Sequence, residues 1–341
     1  MTSHPPVGPP TGPPAGPSPG EPPDARAAAE LCTRILDEVG RAVVGKRDRI
    51  TLVLAAVLAK GHVLVEDLPG LGKTLTARSL AHVLGLDFAR AQFTPDLLPA
   101  DLTGSFIYDQ KRGEFDFRKG PIFTGLLLAD EINRTPPKTQ SALLEAMQER
   151  QVTVEGRTFA LPDPFSVIAT ANPIEYEGTY PLPEAQLDRF LMRVGFGYPT
   201  PAEEYDVLAR RVDRRREETL LDPVTDADGV RALQAYIETV RIDASVGRYC
   251  VDLATATRSH GHVLVGASPR GSLGLGLVAR AMAVIGGRDY VVPEDVKAVA
   301  REVLGHRISI KPELWMTQAS GLTVAADVLN RVPTPAALEQ R

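Results

Sequence analysis

The stretch HVLVEDLPGLGKTLTARSL, residues 62–80, constrains the fold more than any other part of the chain. His62 to Val65 is a short apolar, β-rich run, as a buried parallel strand requires. Pro69, Gly70, Leu71 and Gly72 supply turn chemistry, and both glycines can take positive φ. Lys73 to Leu84 then reads as a helix, with Leu75, Leu80, Val83 and Leu84 able to cover a sheet. A strand that turns sharply into a helix brings backbone N–H groups to one point at a positive helix end, which suits phosphate. The residues match the tail of G-x-x-x-x-G-K-[ST], but Asp67 stands where the first glycine is expected. On this reading Asp67 and residues 69–74 form the nucleotide loop. Lys73 reaches the β- and γ-phosphates of ATP, and the Thr74 hydroxyl ligates Mg²⁺.

If that loop binds nucleotide, acidic and polar groups must wait at the ends of neighbouring strands. Gly125 to Glu131 (GLLLADE) is an apolar strand ending in two adjacent carboxylates, which is costly unless something needs them. Asp130 is the candidate for the Mg²⁺ shell, and Glu131 the candidate to orient and deprotonate water. Ser166 to Pro173 (SVIATANP) is a second buried strand, and Asn172 at its end can share that water or a phosphate oxygen. Asn-Pro is also ordinary turn chemistry. Arg189, in LPEAQLDRF (182–190), is the candidate arginine finger for a neighbouring subunit, with Arg193 as second choice. The plain alternative is a surface arginine paired with Glu184 or Asp188. In GASPR (266–270), Ser268 suits an N-cap, Pro269 position N1 and Arg270 position N2. A cation at a helix N-terminus opposes the helix dipole, so an anion such as a γ-phosphate would relieve it.

Composition bounds the rest. The chain has 341 residues, 43% hydrophobic and 24% charged, with ample material for more than one domain. A net charge of −5 disfavours a dedicated nucleic-acid binder. Cys32 and Cys250 alone give no disulfide framework and fit a reducing, cytoplasmic setting. Apolar runs are too short to cross a membrane, and the opening MTSHPPVGPP lacks the pattern of a secretory signal. Residues 1–24 hold 10 of the 29 prolines and are expected to be a disordered tail, with Asp24 as N-cap of a helix from Ala25 to Val43.

From Val43 to Tyr198 helices alternate with apolar strands (Val63–Glu66, Asp87–Phe93, Leu126–Asp130, Ser166–Thr170, Met192–Phe196), the pattern of an α/β layer with a parallel sheet. Two hairpins interrupt it, Gly104–Phe117 and Gln151–Ala160. Beyond Pro199 the pattern is helical: Glu203–Thr219, Ala227–Val240, Arg248–His260, Gly271–Gly286, Pro293–Gly305 and Thr317–Leu329. The arginine run from Arg210 to Arg216 is balanced by Asp213, Glu217 and Glu218 and reads as a solvated helix face. His260-Gly-His262 has no further ligand cluster and reads as a polar turn.

The order GKT, LLLADEINR, IATANP, LPEAQLDRF, GASPR resembles the AAA+ ATPases, and specifically the MoxR family, over roughly Val43 to Val332. FTPDLLPADLTG (93–104), GPIF (120–123), PKTQSALLEAMQE (137–149) and RDYVVPED (288–295) carry the same likeness. In that family EDxPGxGKT is common, so Asp67 belongs to the pattern. The resemblance implies a P-loop NTPase core over 25–198, an all-helical lid over 199–333 and a flexible end at 334–341. It also implies a homo-oligomeric ring, expected as a hexamer, whose hairpins face the pore and touch a client. Arg189 would act on the next subunit, whereas Arg270 would reach its own subunit's nucleotide from the lid. Gly271, Gly274 and Gly276 depart from good helix sequence and predict a loose start to that helix. The implied function is ATP-driven maturation of a partner complex, with a von Willebrand factor A domain protein as client or adaptor. A nucleic-acid motor and a metal-chelatase motor subunit are the competing readings.

Overall fold

The computed structural model describes residues 24–173, 178–216 and 218–335. The expected proline-rich tail and the last residues of the chain lie outside this range. Asp24 caps α1 (Ala25–Ala42) by accepting the Ala27 N–H at 2.7 Å. Next, α2 (Arg47–Leu58) is buried on nearly every side, as a helix that is apolar all round must be. The α/β layer follows with β1 (Val63–Glu66), α3 (Lys73–Val83), β2 (Phe88–Gln92) and the short α4 (Pro99–Thr103). The first hairpin is β3 (Gly104–Asp109) with β4 (Glu114–Lys119). Then come β5 (Leu126–Asp130), α5 (Pro137–Glu149), the second hairpin β6 (Gln151–Val154) and β7 (Arg157–Ala160), and β8 (Ser166–Ala171). The layer closes with α6 (Glu184–Leu187) and β9 (Met192–Val194).

The five strands run parallel in the order β2-β5-β8-β1-β9. Because they are parallel, the loops after β1, β5 and β8 emerge at one edge of the sheet, where open α/β sheets bind ligands. That puts the glycine loop, Asp130-Glu131 and Asn172 at a single edge, as the spacing predicts.

Helices dominate the remainder: α7 (Pro201–Arg214), α8 (Ala227–Thr239), α9 (Ala244–Arg258), α10 (Pro269–Ile285), α11 (Pro293–Leu304) and α12 (Gly321–Arg331). Two short strands, β10 (Val263–Val265) and β11 (Ser309–Ile310), pair between them. One apolar core joins this helical part to α1, α2, α3 and one face of the sheet. A second core fills the other face with α5 and the roots of the hairpins.

Several helix ends differ from expectation because caps decide them. A capping box, Thr200 with Glu203, starts α7 at Pro201, and the helix stops at Arg214 short of Thr219. Capped by Asp243, α9 starts at Ala244, four residues before the expected Arg248, and α12, capped by Ser320, starts at Gly321, four residues after the expected Thr317. The glycines of α10 do not loosen it. A Cβ on Gly274 would sit 3.1 Å from Val303 Cγ1 and 3.3 Å from Leu191 Cδ1, so the small residues let α10 approach α11 and the sheet closely.

The hairpins lie against each other through aromatic rings. Phe117 and Phe159 stack at 4.1 Å and 13°, with Phe106 tilted beside both and the Arg157 guanidinium over its face. Ile107, Tyr108 and Phe115 remain exposed near the first hairpin's turn. His260 Nε2 donates to Asp327 Oδ2 at 2.8 Å while its Nδ1 accepts the His262 N–H at 3.1 Å, the contacts of a polar turn.

Candidate active site

The glycine loop is held open by its own chemistry. Gly70 and Gly72 take φ of 81° and 79°, and a Cβ on either would meet no atom within 4 Å. The space before the α3 N-terminus is therefore free for an anion, and the left-handed backbone there costs glycine little. Lys73 leans back across the loop and donates from Nζ to the Asp67 carbonyl at 2.6 Å. Thr74 follows in the first turn of α3.

Asp67 takes a different part from the one expected of it. Its carboxylate accepts N–H bonds from Leu68 at 3.0 Å, Phe196 at 2.5 Å and Gly197 at 2.7 Å. It braces the root of the loop to the end of β9, so its charge is spent on backbone and does not face a phosphate. A glycine could not make this brace, which explains the substitution in physical terms.

At the end of β5, Asp130 is buried and each of its carboxylate oxygens accepts a hydrogen bond. Its Oδ1 accepts from the Thr170 hydroxyl at 2.6 Å, and Oδ2 accepts from Arg90 Nε and Nη2 at 3.0 and 2.7 Å. Glu131 stands in the left-handed region at φ 59°, ψ 49°. Such a backbone costs a non-glycine residue about 1–3 kcal/mol and gathers at functional sites. Its N–H donates to the same Thr170 hydroxyl at 2.8 Å, while Gln92 Nε2 donates to Glu131 Oε2 at 2.7 Å and Arg134 lies 3.3 Å from that oxygen. Asn172 is buried at the end of β8, and its carbonyl accepts from Asn133 Nδ2 at 3.2 Å.

Arg90, Gln92 and Thr170 escape a reading of motifs. A signal for the first two does exist: Arg90 and Gln92 alternate with Ala89 and Ala91 along β2, so the C-terminal end of one side of this edge strand is polar where it borders Asp130 and Glu131.

The two candidate arginines stand elsewhere. Arg189 donates from Nη1 to the Leu144 carbonyl at 2.9 Å. It pairs with neither Glu184 nor Asp188 as the plain alternative requires. Together with Lys60, Gly61, Arg150 and Arg270 it lines a basic hollow of about 320 Å³. Lys60 and Gly61 precede β1, whereas the glycine loop follows it. The hollow is therefore at the opposite edge of the sheet, a strand length of about 13 Å away.

This corrects the expectation that Arg270 reaches the nucleotide of its own chain. The N-terminus of α10 is pinned beside Leu191 and Gly61, so Arg270 and Arg189 face outward together. The Asp188 carboxylate, 4.0 Å from Arg270 Nε, is the anion at this helix start. Arg193 instead pairs with Glu66 at 2.9 Å across β9 and β1, which ties it into its own sheet.

A larger hollow, about 810 Å³, runs along α3 from Leu75, just past the glycine loop, to His82. Ala42, Val44, Leu75, Ser79, Val207 and Arg211 border it, giving apolar walls and a cationic rim next to the glycine loop. Among the described residues no three His, Cys, Asp or Glu side chains converge on a protein-only metal cage. A divalent ion here would be held by Thr74 and Asp130 jointly with a nucleotide.

Residues 62–192 match the family model described as ATPase family associated with various cellular activities (AAA), and residues 255–328 match an AAA lid domain. The chain is 50% identical to the Bacillus subtilis (strain 168) protein YeaC, covering 89% of this chain and 95% of that one. It is 45% identical to Chaperone MoxR1 of Mycobacterium tuberculosis (strain ATCC 25618 / H37Rv), covering 90% and 84% respectively. A crystal structure of a Cytophaga hutchinsonii protein, described as a candidate ATPase, superposes with a TM-score of 0.85 at 42% identity, covering 91% of this chain and 97% of that one.

Proposed function

The chain belongs to the MoxR family of AAA+ ATPases, and from that premise we propose that it hydrolyses ATP in a ring of identical subunits to remodel a partner protein. The observation that carries this reading is the separation of the two halves of the site. The glycine loop, Asp130, Glu131 and Asn172 share one edge of the sheet, and Arg189 and Arg270 share the other. A single copy holds a phosphate cradle whose nearby arginines, Arg90 and Arg134, are engaged by Asp130 and Glu131, and, a strand length away, an arginine pair without a cradle. Head-to-tail copies complete each other, the heterologous geometry that closes into rings.

Lys73 and the loop N–H groups bind the β- and γ-phosphates, and the larger hollow beside Leu75 takes the base. A bound Mg²⁺ supplies charge neutralisation on the phosphate oxygens, held by Thr74 and Asp130. Glu131, fixed by Thr170, Gln92 and Arg134, accepts a proton from water, with Asn172 beside it. Arg189 and Arg270 of the adjoining copy stabilise charge as it develops on the transferred phosphoryl group. The exposed residues of the first hairpin contact the client. The relative named Chaperone MoxR1 supports a chaperone role; maturation of a partner complex, with a von Willebrand factor A domain protein as adaptor, is the form of it we propose.

The test is hydrolysis by the purified chain. Turnover per chain should rise with protein concentration as rings form, because no copy is complete alone. Glu131→Gln should bind ATP with near-normal affinity and lose turnover by at least about 10²-fold, and it should trap the client in a pull-down. Concentration-independent turnover, or a wild-type rate from Glu131→Gln, would refute the scheme.

A further inference from the structure

Three residues of this chain meet at one partly buried carboxylate, that of Asp188, behind the arginine pair. Arg307, just after α11, has a side chain only 3% exposed and makes five hydrogen bonds. Its Nε donates to Asp188 Oδ1 at 2.7 Å. Its Nη2 donates to the Phe190 carbonyl at 2.7 Å and the Asp188 carbonyl at 3.4 Å. Its Nη1 donates to the Leu191 carbonyl at 3.2 Å and to the Val303 carbonyl. The guanidinium thus grips residue 188 and residues 190 and 191, on both sides of Arg189. The other carboxylate oxygen, Asp188 Oδ2, accepts from the Ser268 hydroxyl at 3.0 Å and lies 4.0 Å from Arg270 Nε. Ser268 is the N-cap of α10, the helix that carries Arg270.

An ion pair with a buried guanidinium and a partly buried carboxylate is a poor way to gain stability, since apolar residues of similar size often do as well. It is an effective way to fix geometry, because a guanidinium accepts partners only within its plane and at set angles. We infer that Asp188 and Arg307 form a positioning clamp that sets the spacing between Arg189 and Arg270. The clamp lets the helical part of each chain govern how that chain acts on the next chain's nucleotide. This rests on the reading of Arg189 as the finger. Neither clamp residue touches ATP; both act through the arginines.

The experiment uses full-length Asp188→Asn, which keeps size and shape but weakens the pair, alongside Arg189→Ala. Misplacement of a catalytic group by about 1 Å costs up to 10²-fold, so kcat for Asp188→Asn should fall about 10- to 100-fold while ATP affinity stays within about twofold. Mixing Asp188→Asn with Lys73→Ala should restore turnover, because the second chain offers an intact clamp to the first chain's intact pocket. The double variant Asp188→Asn/Arg189→Ala should be no slower than Arg189→Ala. Ser268→Ala, which removes one contact to Asp188, carries the same readouts should Asp188→Asn fail to fold; its kcat should fall about threefold. Wild-type kcat in these clamp variants beside an inactive Arg189→Ala, or a loss that Lys73→Ala fails to rescue where it rescues Arg189→Ala, overturns the clamp alone. A fully active Arg189→Ala overturns the finger reading itself.

Discussion

Thr170 shows how much one hydroxyl does at this site: it donates to Asp130, accepts from the Glu131 N–H and so holds both carboxylate residues from the neighbouring strand. The motif reading expects the two acids at the same sheet edge as the loop, where the parallel strands put them, but cannot see their support, because a threonine inside an apolar strand is unremarkable in sequence. Asp67 teaches the reverse lesson. Its position in the loop suggests ligand contact, whereas its three backbone bonds show a brace. A third residue, His62, is buried with Nδ1 accepting from Val167 N–H at 3.0 Å and Nε2 facing the Met147 carbonyl at 3.1 Å. That geometry demands the neutral Nε2–H tautomer, and burial, assisted by nearby Arg150, pushes its pKa down to about 4. Between the ordinary value of 6.5 and about 4 the unfolded chain binds a proton that the folded chain refuses. Stability is therefore complete above pH 6.5 and is lost as pH falls through this window, by up to about 3 kcal/mol from this residue. Urea unfolding at pH 7 and pH 4.5 should show the loss, and His62→Gln should reduce it, leaving the part due to His306, whose pKa burial also pushes well down. An equal pH dependence in the variant would assign the loss elsewhere.

Among the elements, α10 decides where Arg270 goes, and its glycines mark its contacts. Gly271 and Gly274 are buried, with Leu304, Val303 and Leu191 already within 3.3 Å of where a Cβ would stand. Gly276 differs, since the nearest atom, Ile242 Cδ1, would be at an ordinary 3.4 Å. Gly276→Ala should then raise stability by up to about 1 kcal/mol through helix propensity. Gly274→Val should lower it by about 1–3 kcal/mol through overpacking. Thermal midpoints of the two variants check this, and the same sign for both would contradict the close approach of α10 to α11. The parallel strands and both hairpins were legible because period, turn residues and β-branched runs are local signals. The ends of α7, α9 and α12 were less so, because the deciding caps, Thr200, Asp243 and Ser320, lie among several polar residues of similar capping power.

At the scale of the molecule, the spacing of motifs orders the site along the chain but says nothing about which edge of the sheet the helical part covers. That is settled by packing: α1 and α2 share one apolar core with the helices after α7, and Leu191 seats the start of α10 beside Gly61. Arg270 consequently joins Arg189 away from its own glycine loop, contrary to the sequence expectation. The central claim is that both arginines serve the nucleotide of an adjoining copy. Its most direct measurement is the steady-state ATPase rate of Arg270→Ala mixed with Lys73→Ala under conditions of subunit exchange. Each parent alone should be slow. The mixture should turn over well above the sum of its parents, because a Lys73→Ala chain brings an intact arginine pair to an Arg270→Ala chain's intact cradle. Proven mixed rings that show no gain, while Arg189→Ala mixtures do, would return Arg270 to the pocket of its own chain.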